Sequence, residues 1–158
     1  MLLSRQLLQC APGLSLLVAA LVVPLAAEAA RRDFVGAEVC GKCHEVAREI
    51  WSKSRHARTS ESLGRSVTSR RCLGCHSTGE APAGRPFYSG VQCEACHGPG
   101  AGYAEEDVMR DPVLARAMGL RRPGTGAERD TLCLSCHRAT TRIAPFDPAK
   151  AWERIRHP

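Results

Sequence analysis

Apolar positions along the chain form one continuous run near the start and, beyond it, short stretches at helical spacing. The run covers residues 14–25 and follows Arg5, and the small residues Ala-Glu-Ala at 27–29 come just before a pair of arginines. A positive start, an apolar run and an A-x-A site in that order are typical of a secretory signal peptide that is cleaved on export. We therefore expect a signal peptide at residues 1–30 and a mature domain at residues 31–158.

An uncleaved membrane anchor is the alternative interpretation of the leader. Pro12, Gly13 and Pro24 interrupt it, so the apolar stretch is shorter than the ~20 residues that a spanning helix needs. Cys10 lies before the apolar run, where it is poorly placed for lipid attachment, and we expect it to leave with the leader. The sequence thus predicts a periplasmic protein with no stable membrane insertion after cleavage.

The mature part has helical patterns separated by glycine- and proline-rich loops. Helices are predicted at residues 45–54, 103–120 (with a break near Pro112) and 148–156, loops at 79–86, 98–102 and 123–126, and an extended lead at 31–39. Asp147 can cap the last helix, and Pro148 suits its first position. Because long alternating runs of β-branched residues are missing, we expect one mainly α-helical, loop-rich domain with little or no β-sheet.

Aromatic residues are too few to fill the interior of such a domain by themselves. The mature part contains only these seven: Phe34, Trp51, Phe87, Tyr88, Tyr103, Phe146 and Trp152. A domain of this size normally folds around one sizeable hydrophobic core. We therefore expect something other than side chains to occupy much of the interior.

A repeated C-x-x-C-H motif indicates what that group is. Its four copies place cysteine pairs at Cys40/Cys43, Cys72/Cys75, Cys93/Cys96 and Cys133/Cys136, followed directly by His44, His76, His97 and His137. This is the attachment pattern of c-type haem: two thiols about one helical turn apart can each form a thioether with one vinyl group, and the histidine takes the proximal iron position. The sequence predicts four covalently bound haems c, here numbered 1 to 4 along the chain, with the polypeptide wrapped around them.

Three other uses of paired cysteines fit this pattern less well than haem attachment. Disulfides are common in exported chains, but they do not require a histidine after every second cysteine. Zinc ribbons pair two C-x-x-C units at one metal, which leaves the four adjacent histidines unexplained. Thiol redox catalysis also uses C-x-x-C, but no strand–helix context surrounds these copies.

The opposite face of each iron needs a second ligand, and few candidates remain. Only His56 and His157 lie outside the motifs among six histidines, and we expect both to bind haem iron. Met109 and Met118 lie in a stretch with helical apolar spacing, where filling gaps in a core is the more common role of methionine. Two haems are therefore expected to have two histidine ligands, and the other two an open, weakly held or non-histidine position.

Charge changes this interpretation little. The formal net charge is +6, but the chain has only three lysines, and its arginines are scattered without basic runs. We therefore expect no nucleic-acid partner, and a cofactor with carboxylates can absorb part of the charge. Redox protein partners, a donor and an acceptor, are expected. The alternative is a redox enzyme or gas-binding protein that acts on nitric oxide, hydroxylamine or peroxide at an open iron.

The motifs and their flanking residues resemble one known family. The segments FVGAEVCGKCH, WSKSRHA, CLGCHSTG, GVQCEACHGPG, CLSCH and FDPAKAWERIRHP, in this order, are similar to the tetrahaem cytochrome c-554 family, over residues 34–158. The resemblance implies periplasmic electron transfer; the best-known member accepts electrons from hydroxylamine oxidoreductase in ammonia oxidisers.

The resemblance also implies a ligand set. His56 is similar to the distal ligand of haem 3, opposite His97, and His157 to that of haem 4, opposite His137; haem 2, on His76, is five-coordinate in the family. Members carry a further histidine after HGPG that binds haem 1, but this chain reads AGYAEED there. Haem 1, on His44, is therefore expected to lack a second histidine. Tyr103 and Glu106, in the stretch that replaces that histidine, are the residues expected near its far face, and nothing in the sequence makes either one a ligand.

Overall fold

The structure is a computed structural model, and it describes residues 33–64, 69–79, 88–138 and 144–158. The fold is mainly α, built from short helices and loops, as the sequence predicts. In chain order the helices are α1 (Ala37–Gly41), α2 (Glu45–Lys53), a 3-10 helix (His56–Leu63), α3 (Arg70–His76), α4 (Cys93–His97), a 3-10 turn (Gly100–Gly102), α5 (Glu106–Arg110), α6 (Pro112–Ala117), α7 (Ala127–Leu134) and α8 (Pro148–Trp152). No helix among the described residues is long and apolar enough to span a bilayer.

A small antiparallel sheet joins the second motif to the third. Strand β1 (Ser77–Thr78) follows α3 directly and pairs with β2 (Tyr88–Ser89), which leads into α4. The buried Thr78 hydroxyl donates to the carbonyl of Gly90 at 3.0 Å and accepts from the backbone N–H of Gln92 at 2.7 Å. The sheet therefore fixes where α3 ends relative to the start of α4.

Gly90 at this junction has no room for a side chain. Its φ is +80°, and a Cβ atom would come within 2.6 Å of the Ala57 carbonyl oxygen. The next residue, Val91, donates its backbone N–H to the His56 carbonyl at 2.9 Å and accepts from the Trp51 indole at 2.7 Å. Close backbone contact at Gly90 thus lets the 3-10 helix lie directly against the third motif.

The apolar core is small, and a buried carboxylate lies beside it. Among described residues the buried apolar side chains are only Ala37, Tyr103 and Ala115, whereas Glu94 is 1% exposed. Its carboxylate accepts backbone N–H groups from Val35 at 2.9 Å, Gly36 at 2.8 Å and Gly100 at 2.6 Å. Glu94 therefore ties the start of the domain and the loop after motif 3 to α4.

Most predicted elements are present, with shifted bounds. The helix at 45–54 is confirmed as α2, the break near Pro112 separates α5 from α6, and 123–126 is a loop. The extended lead is wrong from Ala37 onward, because α1 begins there. The predicted start at Tyr103 is also wrong: that side chain is buried, and α5 begins at Glu106. The predicted signal peptide and most of the 79–86 loop lie outside the described residues.

Candidate haem-binding site

Each motif is built on one helical turn, which brings its three functional residues together. In motif 1 (residues 40–44) the backbone N–H of His44 donates to the Cys40 carbonyl at 3.0 Å, and in motif 4 (133–137) His137 donates to Cys133 at the same distance. Motifs 2 (72–76) and 3 (93–97) occupy the ends of α3 and α4. The spacing of the motif therefore produces the local geometry that two thioethers and a proximal histidine require.

The thiols of different motifs lie next to one another. All eight described cysteines are free, so no disulfide forms between them. A hydrogen bond to Cys93 raises the pKa of the Cys40 thiol, and burial together with a hydrogen bond to Cys136 raises that of Cys75.

Motifs 3 and 4 also adjoin each other. Burial, followed by the nearby Cys133 thiol, raises the pKa of Cys96 to about 11. Together with the contacts of Cys40 and Cys75, this arranges the four motifs as neighbours in the order 1, 3, 4, 2. Among the described residues, no group of three or more His, Cys, Asp or Glu side chains is arranged to hold a metal ion.

Two proximal histidines have one ring nitrogen occupied by a backbone carbonyl. His97 Nδ1 lies 2.9 Å from the Arg121 carbonyl oxygen, and Arg121 in turn donates its backbone N–H to the His97 carbonyl at 2.8 Å. His76 Nδ1 lies 2.8 Å from the Thr59 carbonyl oxygen. Metal-ligating histidines usually donate their second ring N–H in this way, so each Nε2 is left free for iron.

The two additional histidines each contact a motif histidine. The ring centroids of His56 and His137 are 6.2 Å apart, and those of His97 and His157 are 5.7 Å apart. An iron held between two imidazoles separates their centroids by about 6 Å, because each metal–nitrogen bond is about 2 Å long. Burial lowers the pKa of His56 and of His97, which keeps both rings neutral and able to bind metal.

The ring contacts differ from the pairing that the resemblance implies, which stays a prediction. The same four imidazoles form two pairs, but His56 lies against His137 rather than His97, and His157 against His97 rather than His137. Both His56 and His157 line the cavity beside His97, and the Val91 N–H bond to the His56 carbonyl fixes the 3-10 helix next to motif 3.

The local support for His157 agrees with the sequence prediction. The Asp147 carboxylate accepts the backbone N–H groups of Ala149 at 3.0 Å and Lys150 at 3.2 Å, and Pro148 is the first residue of α8. Regular helix ends at Trp152, earlier than the predicted 156. Trp152 and Ile155 line the same cavity as His157, so the expected inward side is confirmed.

A cavity of about 420 Å³ links motifs 1 and 3, and its lining suits a haem. Cys40 and His44 contribute from motif 1, and Cys93, Cys96 and His97 from motif 3. Arginines line it as well, at positions 48 and 122. The Nε atom of Arg48 is buried without a hydrogen-bond partner. A largely apolar cavity with thiols, imidazoles and an unpaired guanidinium nitrogen fits a porphyrin that carries carboxylates.

Sequence reasoning missed three residues that position this site. Glu94, Thr59 and Arg121 act through contacts with segments distant in the chain, and no local pattern marks them. The sequence signal for Glu94 was a carboxylate between the two cysteines of motif 3. By itself it does not indicate a structural role, because its three backbone N–H donors come from other parts of the chain.

Comparison with known proteins agrees with these features. The protein family described as Cytochrome c554 and c-prime matches residues 39–98. Cytochrome c-554 of Nitrosomonas europaea is 26% identical over 153 aligned residues, which cover 78% of this chain and 65% of that protein. The chain therefore spans slightly less than two thirds of the length of this relative. No solved structure gave a significant match.

Three features agree: the order of the motifs and their flanking residues, the match of both comparisons to the same family, and a mainly helical fold that gathers the motif histidines. On these grounds the chain is similar to the cytochrome c-554 family, with the family match confined to residues 39–98.

Proposed function

We propose that this protein is a periplasmic tetrahaem c-type cytochrome that transfers single electrons between redox partners. The observation that carries the proposal is the gathering of four C-x-x-C-H motifs with free thiols and two imidazole pairs about 6 Å apart. The similarity to this family supports covalently bound haem c. The number of haems, the compartment and the electron-transfer activity belong to the proposal.

The residues of this chain divide the work of holding the cofactor. The four cysteine pairs would attach it, and the histidine after each pair would bind its iron. His56 and His157 would supply a second imidazole to two of the four irons. When bound, haem supplies a reversible one-electron iron couple. Arg122 faces the same cavity and is placed to neutralise a carboxylate there, whereas Arg48 pairs with Glu38 and offers only its Nε–H to the cavity.

Two further features suit an electron carrier. Backbone carbonyls hold the rings of His76 and His97, so these ligands need little rearrangement when the iron changes charge. Adjacent thiols from motifs 1 and 3, and from motifs 2 and 4, indicate that attached groups lie close to one another. Close neighbours with fixed ligands favour electron exchange over substrate chemistry.

The remaining parts of the proposal rest on the sequence. Residues 1–30 would direct export and be removed, which places the mature domain, residues 31–158, in the periplasm without stable membrane insertion. A protein donor and a protein acceptor are the expected partners, and nucleic acid is not. The alternative function, an enzyme or gas-binding protein acting at an open iron, is motivated only by the shortage of distal histidines.

Intact mass and electron paramagnetic resonance of the matured, oxidised protein test the proposal. The mass should exceed that of the bare mature chain by four haems. His56→Ala and His157→Ala should each convert one low-spin iron to high spin, because each removes one axial imidazole. Arg156→Ala is the matched control: it changes the exposed neighbour of His157, which pairs with Glu153, and should leave the spectrum unchanged. A mass with fewer than four haems contradicts the proposal.

Rapid mixing separates the carrier from the alternative. The reduced protein should exchange electrons with a redox partner faster than it reacts with nitric oxide or peroxide. Multiple turnovers of either small molecule at a rate above that of electron exchange would favour the enzyme.

A further inference from the structure

One of the two proximal histidines left without a ring partner borders a candidate donor. The four other imidazoles form two pairs, whereas His44 and His76 make no ring contact with any described residue. His44 lines the cavity beside motifs 1 and 3 together with Met109. This places a thioether at the cavity into which the His44 ring would bring iron.

The two neighbours that the sequence suggested are already engaged. The Tyr103 hydroxyl donates to the carbonyls of Gly98 at 2.6 Å and His97 at 3.1 Å. It is therefore directed at the backbone of motif 3 and is not placed as an iron ligand. Glu106 is exposed and forms an ion pair with Arg110 on the outer side of α5. Neither oxygen is therefore available to the cavity.

The segment that carries Met109 is anchored at both ends on motif 3. At its start, the Tyr103 hydroxyl donates to the carbonyls of Gly98 and His97. At its end, the backbone N–H of Arg121 donates to the His97 carbonyl, and the Arg121 carbonyl lies against His97 Nδ1. Between these anchors the backbone N–H of Met109 donates to the Glu105 carbonyl at 2.9 Å. Because both ends of this helical segment are bonded to motif 3, the segment holds the Met109 side chain at the cavity.

We propose that the Met109 thioether is the distal ligand of the iron bound by His44. This inference rests on the proposed function, because it requires haem 1 to be attached at Cys40 and Cys43. Thioether sulfur is an established haem-iron ligand opposite histidine, and such a pair raises the reduction potential. Met118, the other methionine of the mature part, ends α6 and does not line the cavity.

The experiment compares the oxidised wild-type holoprotein with three variants by paramagnetic resonance and near-infrared magnetic circular dichroism. The wild type should show a thioether-to-iron charge-transfer band. Met109→Ala should lose this band and gain one high-spin iron, whereas Met118→Ala should match the wild type. Met109→His should lose the band, keep the iron low-spin and lower the midpoint potential of one haem.

Each outcome decides the assignment. If the wild type has no thioether band, or if Met109→Ala leaves the band and the spin count unchanged, Met109 is not the ligand. Should Met109→Ala not fold, the wild-type band and Met109→His still give the answer. Intact mass keeps the two proposals separate: four haems without the band refute only this ligand, whereas fewer than four refute the proposed function.

Discussion

Removing the buried carboxylate at Glu94 should destabilise the holoprotein strongly. Glu94→Ala leaves the backbone N–H groups of Val35, Gly36 and Gly100 without their acceptor. Each hydrogen bond to a charged group contributes about 1.5–3 kcal/mol. The three bonds share one side chain and are not fully additive, and each buried N–H left without an acceptor costs about 1–3 kcal/mol. We expect a loss of about 4 kcal/mol, a large part of the ~5–15 kcal/mol of a typical domain.

The assay is guanidinium unfolding of the matured protein, followed by far-UV circular dichroism. The dependence of the unfolding free energy on denaturant concentration is measured separately for each variant. Glu94→Gln keeps one oxygen but places an amide N–H₂ opposite donors, so it should lose about 2–3 kcal/mol. Glu38→Gln is the control, since Glu38 is exposed and pairs only with Arg48; a surface pair of this kind is worth less than ~1 kcal/mol. A loss for Glu94→Ala below ~1 kcal/mol would refute the reasoning.

The remaining predictions concern a glycine beside this carboxylate and the cap of α8. Gly100→Ala puts a Cβ atom 2.7 Å from the Glu94 carboxylate and should cost about 1–3 kcal/mol of unfolding free energy. Gly74→Ala is the control, because nothing lies within 4 Å of its Cβ position, and it should be neutral or stabilising. Equal changes in unfolding free energy for the two variants would contradict this prediction. The Lys150 backbone N–H lowers the pKa of Asp147, so its stabilisation is present at neutral pH and lost as the pH falls below about 4. Because α8 leads directly into the segment that carries His157, loss of the cap at low pH should weaken the low-spin signal that His157 gives. Asp147→Ala should abolish this pH dependence, and Asp147→Asn should keep the cap but also remove the pH dependence.

Residues that act through local geometry were predictable from the sequence. Each motif fits one helical turn, and the cap formed by Asp147 and Pro148 depends only on adjacent positions, so both are visible in the chain itself. The short helices α3 and α4 were not predicted, because motif residues carry little apolar periodicity.

Residues that act across the fold were not predictable. Glu94 binds Gly36, 58 positions away, and the ring contacts of His56 and His157 depend on how separate helices pack. Ligand counting singled out these two histidines, but it contains no information about which other imidazole each one faces. The family resemblance supplied a pairing, and the ring contacts in this chain differ from it.

The scarcity of buried apolar side chains has a consequence for the supply of this protein in the cell. A chain that has not received its cofactor has little to keep it folded, because only Ala37, Tyr103 and Ala115 form an apolar core among the described residues. Unfolded chains are removed by proteases, whereas a bound group that stabilises only the native state protects against them. The steady-state amount of this protein should therefore follow the rate at which the attachment machinery delivers haem, rather than the rate of translation.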